Sequence, residues 1–212
     1  GFVRFGACGH PLACMKQNLT IIQGATFPQT LRWETLPFLF ATISAISNTA
    51  PVRITTTGAH NILDGWRVAV VDAEGLTELN AASNPPKATD FRQATLVDTT
   101  HIEFNPISAA GFEPYTSDGY LQWYTPHDLT GYTARMAIKN KVGGTVLLSL
   151  TTENDGIVIN DSAKTITLNI DATDTAALTW TTGVYDLEMI SPTGVVTSLM
   201  TGSVAVTKEV TT

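Results

Sequence analysis

The sequence predicts an all-β protein: an antiparallel Ig-like β-sandwich with an inserted small β-barrel domain. Three observations favour the all-β class. Apolar and polar residues alternate with a period of two in many short segments, turn residues separate these segments, and threonine is abundant while only 15% of the 212 residues are charged. Such alternation buries one face of a strand and leaves the other in solvent, and threonine favours strands over long helices.

The clearest predicted strand follows the turn Asp128-Leu129-Thr130-Gly131 and ends at Lys139. One face of this strand carries Tyr132, Ala134, Met136 and Ile138. The segment from Leu19 to Trp33 predicts further strand structure, with Phe27, Leu31 and Trp33 as core anchors. Short alternating segments then continue to Val206. A helix is predicted only for residues 171–178, with Asp171 or Thr173 as its cap.

Residues 42–125 differ in character from both flanking parts, so we interpret them as an inserted domain. The predicted domains are an extension over residues 1–14, a discontinuous sandwich over residues 15–41 and 126–212, and the barrel over residues 42–125. The Pro-containing apolar run Leu36-Pro37-Phe38-Leu39-Phe40 marks the exit from the sandwich, because proline fixes the direction of the backbone. An exposed apolar patch for a partner is the alternative interpretation of this run.

The inserted segment resembles a small β-barrel family, the first catalytic cysteine half-domain of ubiquitin-activating enzymes, which also occurs in tailed-phage virion proteins. The matching phrases are Ala50-Pro51-Val52-Arg53-Ile54-Thr55-Thr56, Ala59-His60, Asp64-Gly65 and Gly75-Leu76-Thr77-Glu78-Leu79-Asn80. Leu76 departs from the methionine usual in that family, which conserves side-chain volume. The resemblance implies a barrel and no ubiquitin chemistry, because residues 42–125 contain no cysteine.

The outer segments resemble a second phage family, the N-terminal β-sandwich of baseplate upper proteins and tail-fibre adaptors. The matching phrases are Ile22-Gln23-Gly24, Asp128 to Ala134, Gly183-Val184-Tyr185-Asp186-Leu187, Gly202 to Val206 and Glu209-Val210-Thr211. In relatives without an insertion, the strand that ends near Glu34 runs almost directly into the Asp-Leu-Thr-Gly turn. The resemblance therefore implies that residues 42–125 interrupt a hairpin of the sandwich.

Composition and charge bear on several classes of partner. The net charge is −7 and lysine and arginine form no cluster, which argues against nucleic acid. No run of about 18 apolar residues is present, so no membrane-spanning helix is predicted. Both cysteines, Cys8 and Cys14, lie in the extension, where they and His10 supply too few ligands for a zinc site. We expect residues 1–14 to be disordered or non-native, with Met15 as a natural start.

Motifs for catalysis or cofactor binding are not found in the sequence. His60, His101 and His127 fall in different segments, and neither a Gly-x-Ser-x-Gly elbow nor a phosphate-binding loop occurs. The acidic groups Glu153-Asn154-Asp155 and Asp171/Asp174 do not follow a calcium-binding loop pattern, so we interpret both as solvated turns. We expect His60 to be packed or bonded within its turn, and Asp128 to bond the backbone of its own turn. The sequence therefore predicts no enzyme and no catalytic, cofactor-binding or metal-binding residues.

Aromatic residues provide the candidate contacts. Tyr115, Tyr120, Trp123 and Tyr124 predict either a sugar-stacking platform or a barrel core with a seam between the domains. We select four residues as contacts with partners or between domains: Phe38, Phe40, Trp123 and Tyr124.

The two resemblances together imply a function. We expect a non-enzymatic structural protein of a tailed-phage virion, made in the bacterial host cytoplasm and located in the tail as a baseplate component or tail-fibre adaptor. It would act with other virion proteins, as a homo-oligomer or as part of a multi-protein tail assembly. The alternatives are a module that binds a host surface glycan and a capsid decoration protein.

Overall fold

The chain is all-β in the computed structural model, which describes residues 3–5 and 15–209. Strands hold 51% of the residues and helices 6%, so the predicted all-β class is confirmed. The strands are β1 Val3–Phe5, β2 Met15–Lys16, β3 Leu19–Ile22, β4 Phe27–Ser47, β5 Val52–Thr56, β6 Arg67–Val71, β7 Arg92–Gln93, β8 Thr95–Leu96, β9 His101–Phe104, β10 Tyr120–Pro126, β11 Thr133–Lys139, β12 Val146–Thr151, β13 Ile157–Asn160, β14 Thr165–Ile170, β15 Thr182–Ile190 and β16 Val196–Thr207.

The described helices are short: α1 covers Ala172–Ala176, and two 3₁₀ helices cover Thr77–Leu79 and Ala88–Asp90. Asp171 is the N-cap of α1, because its side chain accepts a hydrogen bond from the N–H of Asp174 at 2.8 Å. It is one of the two caps that the sequence predicted. Within the described ranges, none of the helices has the length and apolar run that crossing a membrane requires.

The chain forms two compact units. The first unit is built from the described residues up to Thr35 and from Pro126 onward, and the second unit is built from Leu36–Thr125. The predicted boundaries lay after residues 41 and 125. That each unit folds by itself stays a prediction.

The first unit is a β-sandwich. One sheet has the order β12-β11-β15-β16, with β2 and β3 both pairing with the far side of β16. The other sheet is formed by β13, β14, the first part of β4, and β1. The pairs are antiparallel except that β2 and β3 run parallel to β16 and β1 runs parallel to β4. Side chains from both sheets fill one core, which is why the two sheets stay together.

Alternation along β11 and β15 creates one wall of this core. Ala134, Met136 and Ile138 of β11 are buried, and Leu187 and Met189 of β15 are also buried. Burial of each of the larger side chains, Met136, Ile138, Leu187 and Met189, contributes about 1.5–3 kcal/mol relative to exposure. The period-two prediction for the strand after the Asp128 turn is therefore confirmed.

Part of the N-terminal extension differs from its prediction. Val3–Phe5, which we expected to be disordered or non-native, forms β1 and pairs in parallel with residues Leu31 to Trp33 of β4. Cys8, His10 and Cys14, which the sequence analysis considered as metal ligands, lie outside the described residues.

The second unit has a strand order of β7-β6-β10-β4-β5-β9-β8. Its core contains Trp66, Phe104, Ile54 and Leu121, all without measurable exposure. Among the described residues, the strand pairs do not complete the closed ring that a barrel implies. Residues 92–96 form one continuous segment instead. Arg92 and Gln93 pair with β6, Thr95 and Leu96 pair with β9, and Ala94 lies between the two pairs. A single bent segment thus connects the two ends of the strand order.

The phrase Gly75 to Asn80 has a structural role in the second unit. Gly75 has a φ of +86°, a region that favours glycine, and a side chain there would collide with the carbonyl of Pro114. Leu76 and Leu79 are buried in the core. The side chain of Asn80 accepts from the N–H of Ala73 at 3.0 Å and donates to its C=O at 2.8 Å. Packing and backbone geometry therefore account for these residue types.

Candidate functional site

The four predicted contact residues separate onto two faces of one sheet in the second unit. Along β10, Leu121 and Trp123 point into the core, while Tyr120 and Tyr124 point to the opposite face, because successive side chains of a strand alternate. Trp123 is only 2% exposed. It therefore offers no ring face to a sugar or a partner, and its environment fits the predicted alternative of a packed core residue.

The opposite face of this sheet carries a cluster of rings that we call the aromatic patch. The aromatic patch consists of Phe38, Phe40, Phe91, Tyr120 and Tyr124. The Phe38 ring lies 4.5 Å from the Tyr124 ring, and the Phe91 ring lies 5.2 Å from Tyr124, measured between centroids. The Phe40 and Tyr120 rings meet edge to face at 5.6 Å. Separations of this size are favourable for aromatic pairs.

Exposed aliphatic residues lie next to Phe38 and Phe40 in the sequence of β4. Phe40 is 59% exposed and Leu36 is 61% exposed, and Leu39 is also exposed. Single exposed apolar residues are normal on a protein surface, but several within five consecutive residues together with a ring cluster are typical of an interaction site.

Polar groups border the aromatic patch on the side of Tyr120. The side-chain amide of Asn84 donates to the Tyr120 hydroxyl at 3.0 Å, and the same amide lies 3.5 Å from the Asp72 carboxylate. Such an arrangement combines an apolar surface with groups that can form directed hydrogen bonds. It is suited to protein contacts and to sugar rings alike.

The histidines form no common site among the described residues. His60 is buried, and its Nδ1 accepts the N–H of Ile62 at 2.9 Å, so the prediction of a turn-bonded histidine is confirmed. His101 bonds the carboxylate of Asp98 at 2.9 Å within a hairpin. The N–H of Thr100 and the His101 ring hold the pKa of Asp98 well below its usual range.

His127 belongs to the first unit and packs among aromatic rings. Its ring stacks on Trp33 with centroids 3.8 Å apart, and its Nε2 lies 3.0 Å from the Tyr132 hydroxyl. Burial lowers the pKa of His127, although the nearby Asp128 carboxylate acts in the opposite direction. Burial thus favours the neutral form of the ring, which serves in packing.

The carboxylate beside His127 bonds its own turn, as the sequence predicted. Asp128 accepts the Thr130 hydroxyl at 2.8 Å and the Lys164 ammonium at 3.0 Å. Lys164 also bonds Asp161 at 2.5 Å, and Asp161 accepts the N–H of Leu129 at 3.0 Å. These bonds fasten the turn before β11 to the turn between β13 and β14.

In the described part of the chain, no group of three or more histidine, cysteine, aspartate or glutamate side chains is placed so that it could hold a metal ion. Asn154 illustrates why the acidic turn at residues 153–155 serves another purpose. Its side chain bonds the backbone of Ser149, Thr151 and Gly156 at 2.8–3.0 Å. The turn is therefore organised by amide contacts to the backbone.

A groove of about 910 Å³ lies on the solvent face of the larger sheet in the first unit. The residues that line it include Ala137, Ser203, Lys16 and Lys139. Arg135 forms an ion pair with Glu188 at 2.6 Å across the neighbouring strands β11 and β15. The paired charges and small hydroxyl groups give a polar surface without a recognisable catalytic arrangement.

Some features of these surfaces could not be predicted from the sequence. Phe91 lies on a loop without alternation, so no pattern indicated that it would join Phe38 and Tyr124. The groove residues of β11 and β15 did carry a signal, because they are the outward half of the alternating pattern.

No protein-family model matches this chain, and the search of curated proteins found no match either.

Proposed function

We propose that this protein is a non-enzymatic structural protein of a tailed-phage virion, acting in the tail as a baseplate component or tail-fibre adaptor. The observation that carries the proposal is the aromatic patch, in which Phe40 is largely exposed, together with the exposed Leu36 near it in sequence. Such a surface suits burial against another protein, because removing apolar area from water is the main driving force of association.

The resemblances in the sequence support the phage assignment. The phrases of the outer segments up to Val206 fall in a β-sandwich, and the phrases of the inserted segment fall in a separate unit of the same chain. Both modules resemble families found in tailed-phage particles. Their combination in one chain favours a role in building the particle.

The bonding of the titratable groups also favours an assembly role over catalysis. In the described residues, His60, His101 and His127 each bond or pack within their own neighbourhood. A hydrolase needs a nucleophile, a base and an orienting group that converge. The same side chains here organise turns and cores.

The location can be tested by gold labelling of purified particles. Antibodies raised against the chain are expected to label the tail of the parent phage, and mass spectrometry should find the chain in the same particles. Label on the head would instead favour a capsid decoration protein. Absence of the chain from particles would overturn the proposal, as would reproducible hydrolysis of a cell-wall or capsule polymer by the purified protein.

A second candidate function is recognition of a host surface glycan through the aromatic patch. The specific observation in its favour is the Asn84 amide and Tyr120 hydroxyl beside exposed rings. A glycan array with the wild type and with Phe40→Ala separates the two functions. Binding that is lost in Phe40→Ala but kept in Leu96→Ala, which changes an exposed residue of β8 outside the aromatic patch, favours recognition, whereas no binding favours assembly.

A further inference from the structure

The sheet face that carries the aromatic patch also holds one buried amide, the side chain of Gln122. Gln122 lies between Tyr120 and Tyr124 on β10, and it shares their face because successive side chains of a strand alternate. Its neighbour across the sheet is Ala69 of β6, a member of the same apolar cluster. Gln122 is therefore a polar residue among apolar ones, and it is only 2% exposed.

The side-chain amide of Gln122 forms no hydrogen bond with the described residues. Its oxygen and nitrogen are not among the polar side-chain atoms that are completely closed to solvent, so the amide can be reached from outside. Leaving a nearly buried donor and acceptor unpaired costs stability, and buried polar groups in native proteins usually have partners. A ligand that binds from solution would supply the missing partners.

A pair of neighbouring hydroxyl groups matches the chemistry of this amide. A primary amide offers N–H donors and a C=O acceptor side by side, and a hydroxyl group can both donate and accept. One hydroxyl of the pair can therefore donate to the oxygen of Gln122 while the other accepts from its nitrogen. Hexopyranose sugars carry such pairs on adjacent ring carbons, so the amide favours a sugar over a purely apolar partner.

The surroundings of Gln122 favour a neutral sugar. Phe40 is 59% exposed and offers a ring on which the apolar face of a pyranose can rest. At the border of the aromatic patch, the Asn84 amide bonds the Tyr120 hydroxyl at 3.0 Å and lies 3.5 Å from the Asp72 carboxylate. These groups provide further donors and acceptors for hydroxyls. The carboxylate and the net charge of −7 disfavour an acidic sugar, because like charges repel.

We infer that the aromatic patch binds a neutral hexopyranose and that Gln122 is the residue that recognises two of its neighbouring hydroxyl groups. This inference deepens the second candidate function and rests on it. The location in the tail does not depend on it, because a tail component can carry a sugar site. The two proposals fail separately, since gold labelling of particles tests the location and sugar binding by the purified chain tests the site.

NMR titration of the full chain tests the site with defined probes. The methyl glycosides of glucose, galactose and mannose are added in large excess, and at least one of them should shift the side-chain NH₂ signals of Gln122. Sialic acid and N-acetylglycine methylamide, a model of a peptide, should leave these signals unchanged. No shift with any of the three glycosides overturns the inference. A shift with the peptide model alone favours a protein contact and overturns it as well.

Deoxy analogues of the sugar that binds test the pair of hydroxyl groups. Each analogue lacks one hydroxyl, and loss of a hydroxyl that bonds Gln122 leaves half of the amide unpaired. We therefore expect the two analogues that lack a hydroxyl of the bound pair, on adjacent ring carbons, to bind about tenfold more weakly than the parent sugar. Equal affinity of all singly deoxygenated analogues would contradict the recognition of a hydroxyl pair.

Gln122→Met separates recognition from folding, because methionine fills a similar volume without an amide. Since the amide bonds no described residue, the Tm of Gln122→Met should equal or exceed that of the wild type. Its affinity for the sugar should fall about tenfold. Gln17→Met makes the same chemical change in the first unit and should bind like the wild type. A destabilised Gln122→Met would show that the amide supports the fold and would overturn the inference, as would unchanged binding.

Discussion

The ring of His127 stacks on the ring of Trp33, and the backbone N–H of His127 donates to the C=O of Trp33 at 2.9 Å. Trp33 lies two residues before Thr35, the end of the first segment of the first unit, and His127 lies directly after Pro126, where that unit resumes. The two ends of the interruption are therefore hydrogen-bonded neighbours. This contact makes the second unit an insertion between adjacent parts of the sandwich.

Removal of the second unit should leave the first unit folded. In a variant that lacks Leu36–Thr125 and joins Thr35 to Pro126 through a short Gly-Ser linker, we expect one cooperative thermal transition, because the core of the first unit is complete within its own residues. The control is the same deletion with Leu31→Ala, which should lower the stability by about 2–5 kcal/mol. A chain without a cooperative transition would contradict the nested architecture.

Asn80 should stabilise the second unit through its two hydrogen bonds to Ala73. Asn80→Ala leaves both backbone groups of Ala73 without these partners, and we expect a loss of about 1–3 kcal/mol in the free energy of unfolding. Urea denaturation followed by tryptophan fluorescence measures the change. Asn84→Ala, at an exposed loop position, is the control and should change little. Equal stability of Asn80→Ala and the wild type would contradict the role.

Acid should weaken the first unit through Asp128. The Thr130 hydroxyl and the Lys164 ammonium lower the pKa of Asp128 from 3.8 to about 2. A lowered pKa in the folded state means that the stabilisation is fully present above pH 3.8 and is lost as the pH falls toward 2. The unfolding midpoint of Asp128→Asn should therefore depend less on pH in this window than that of the wild type.

The readout for this prediction is the indole signal of Trp33 in NMR spectra, which reports on the first unit. Asp98→Asn is the matched control, because Asp98 also has a lowered pKa but belongs to the second unit. The same pH dependence in Asp128→Asn and in the wild type would show that the turn contacts do not contribute to stability.

Substitution of Trp123 should lower stability, whereas substitution of Phe40 should weaken contacts with a partner. Trp123→Ala removes a buried ring and should cost about 3–5 kcal/mol, whereas Phe40→Ala changes an exposed residue and should stay within about 0.5 kcal/mol of the wild type. If the aromatic patch is a contact surface, Phe40→Ala should still reduce incorporation of the chain into particles. A stable Trp123→Ala variant or full incorporation of Phe40→Ala would contradict this division of roles.

Local alternation made the all-β class and much of the core predictable. Met136 could be placed inside because it lies in a strand with a clear period of two. Asp171 could be placed at a helix start because its short side chain satisfies a free N–H. These features depend on a few neighbouring residues and are therefore visible in the sequence.

Long-range pairing was beyond that reasoning. Trp123 and Tyr124 are adjacent aromatic residues, and only the positions of β4 and β6 decide which one is buried. Phe91 joins the aromatic patch from a loop, and the change of partner at Ala94 depends on two strands that are distant in sequence. Asn154 was assigned to a solvated turn, because its contacts with Ser149 and Thr151 require the folded hairpin.

Cryo-EM of the parent virion tests the central claim most directly. We predict density for the β-sandwich of the first unit in the tail, at the baseplate or at the attachment point of a fibre, with the aromatic patch against another virion protein. Density for the chain on the capsid alone, or its absence from the particle, would contradict the proposed function.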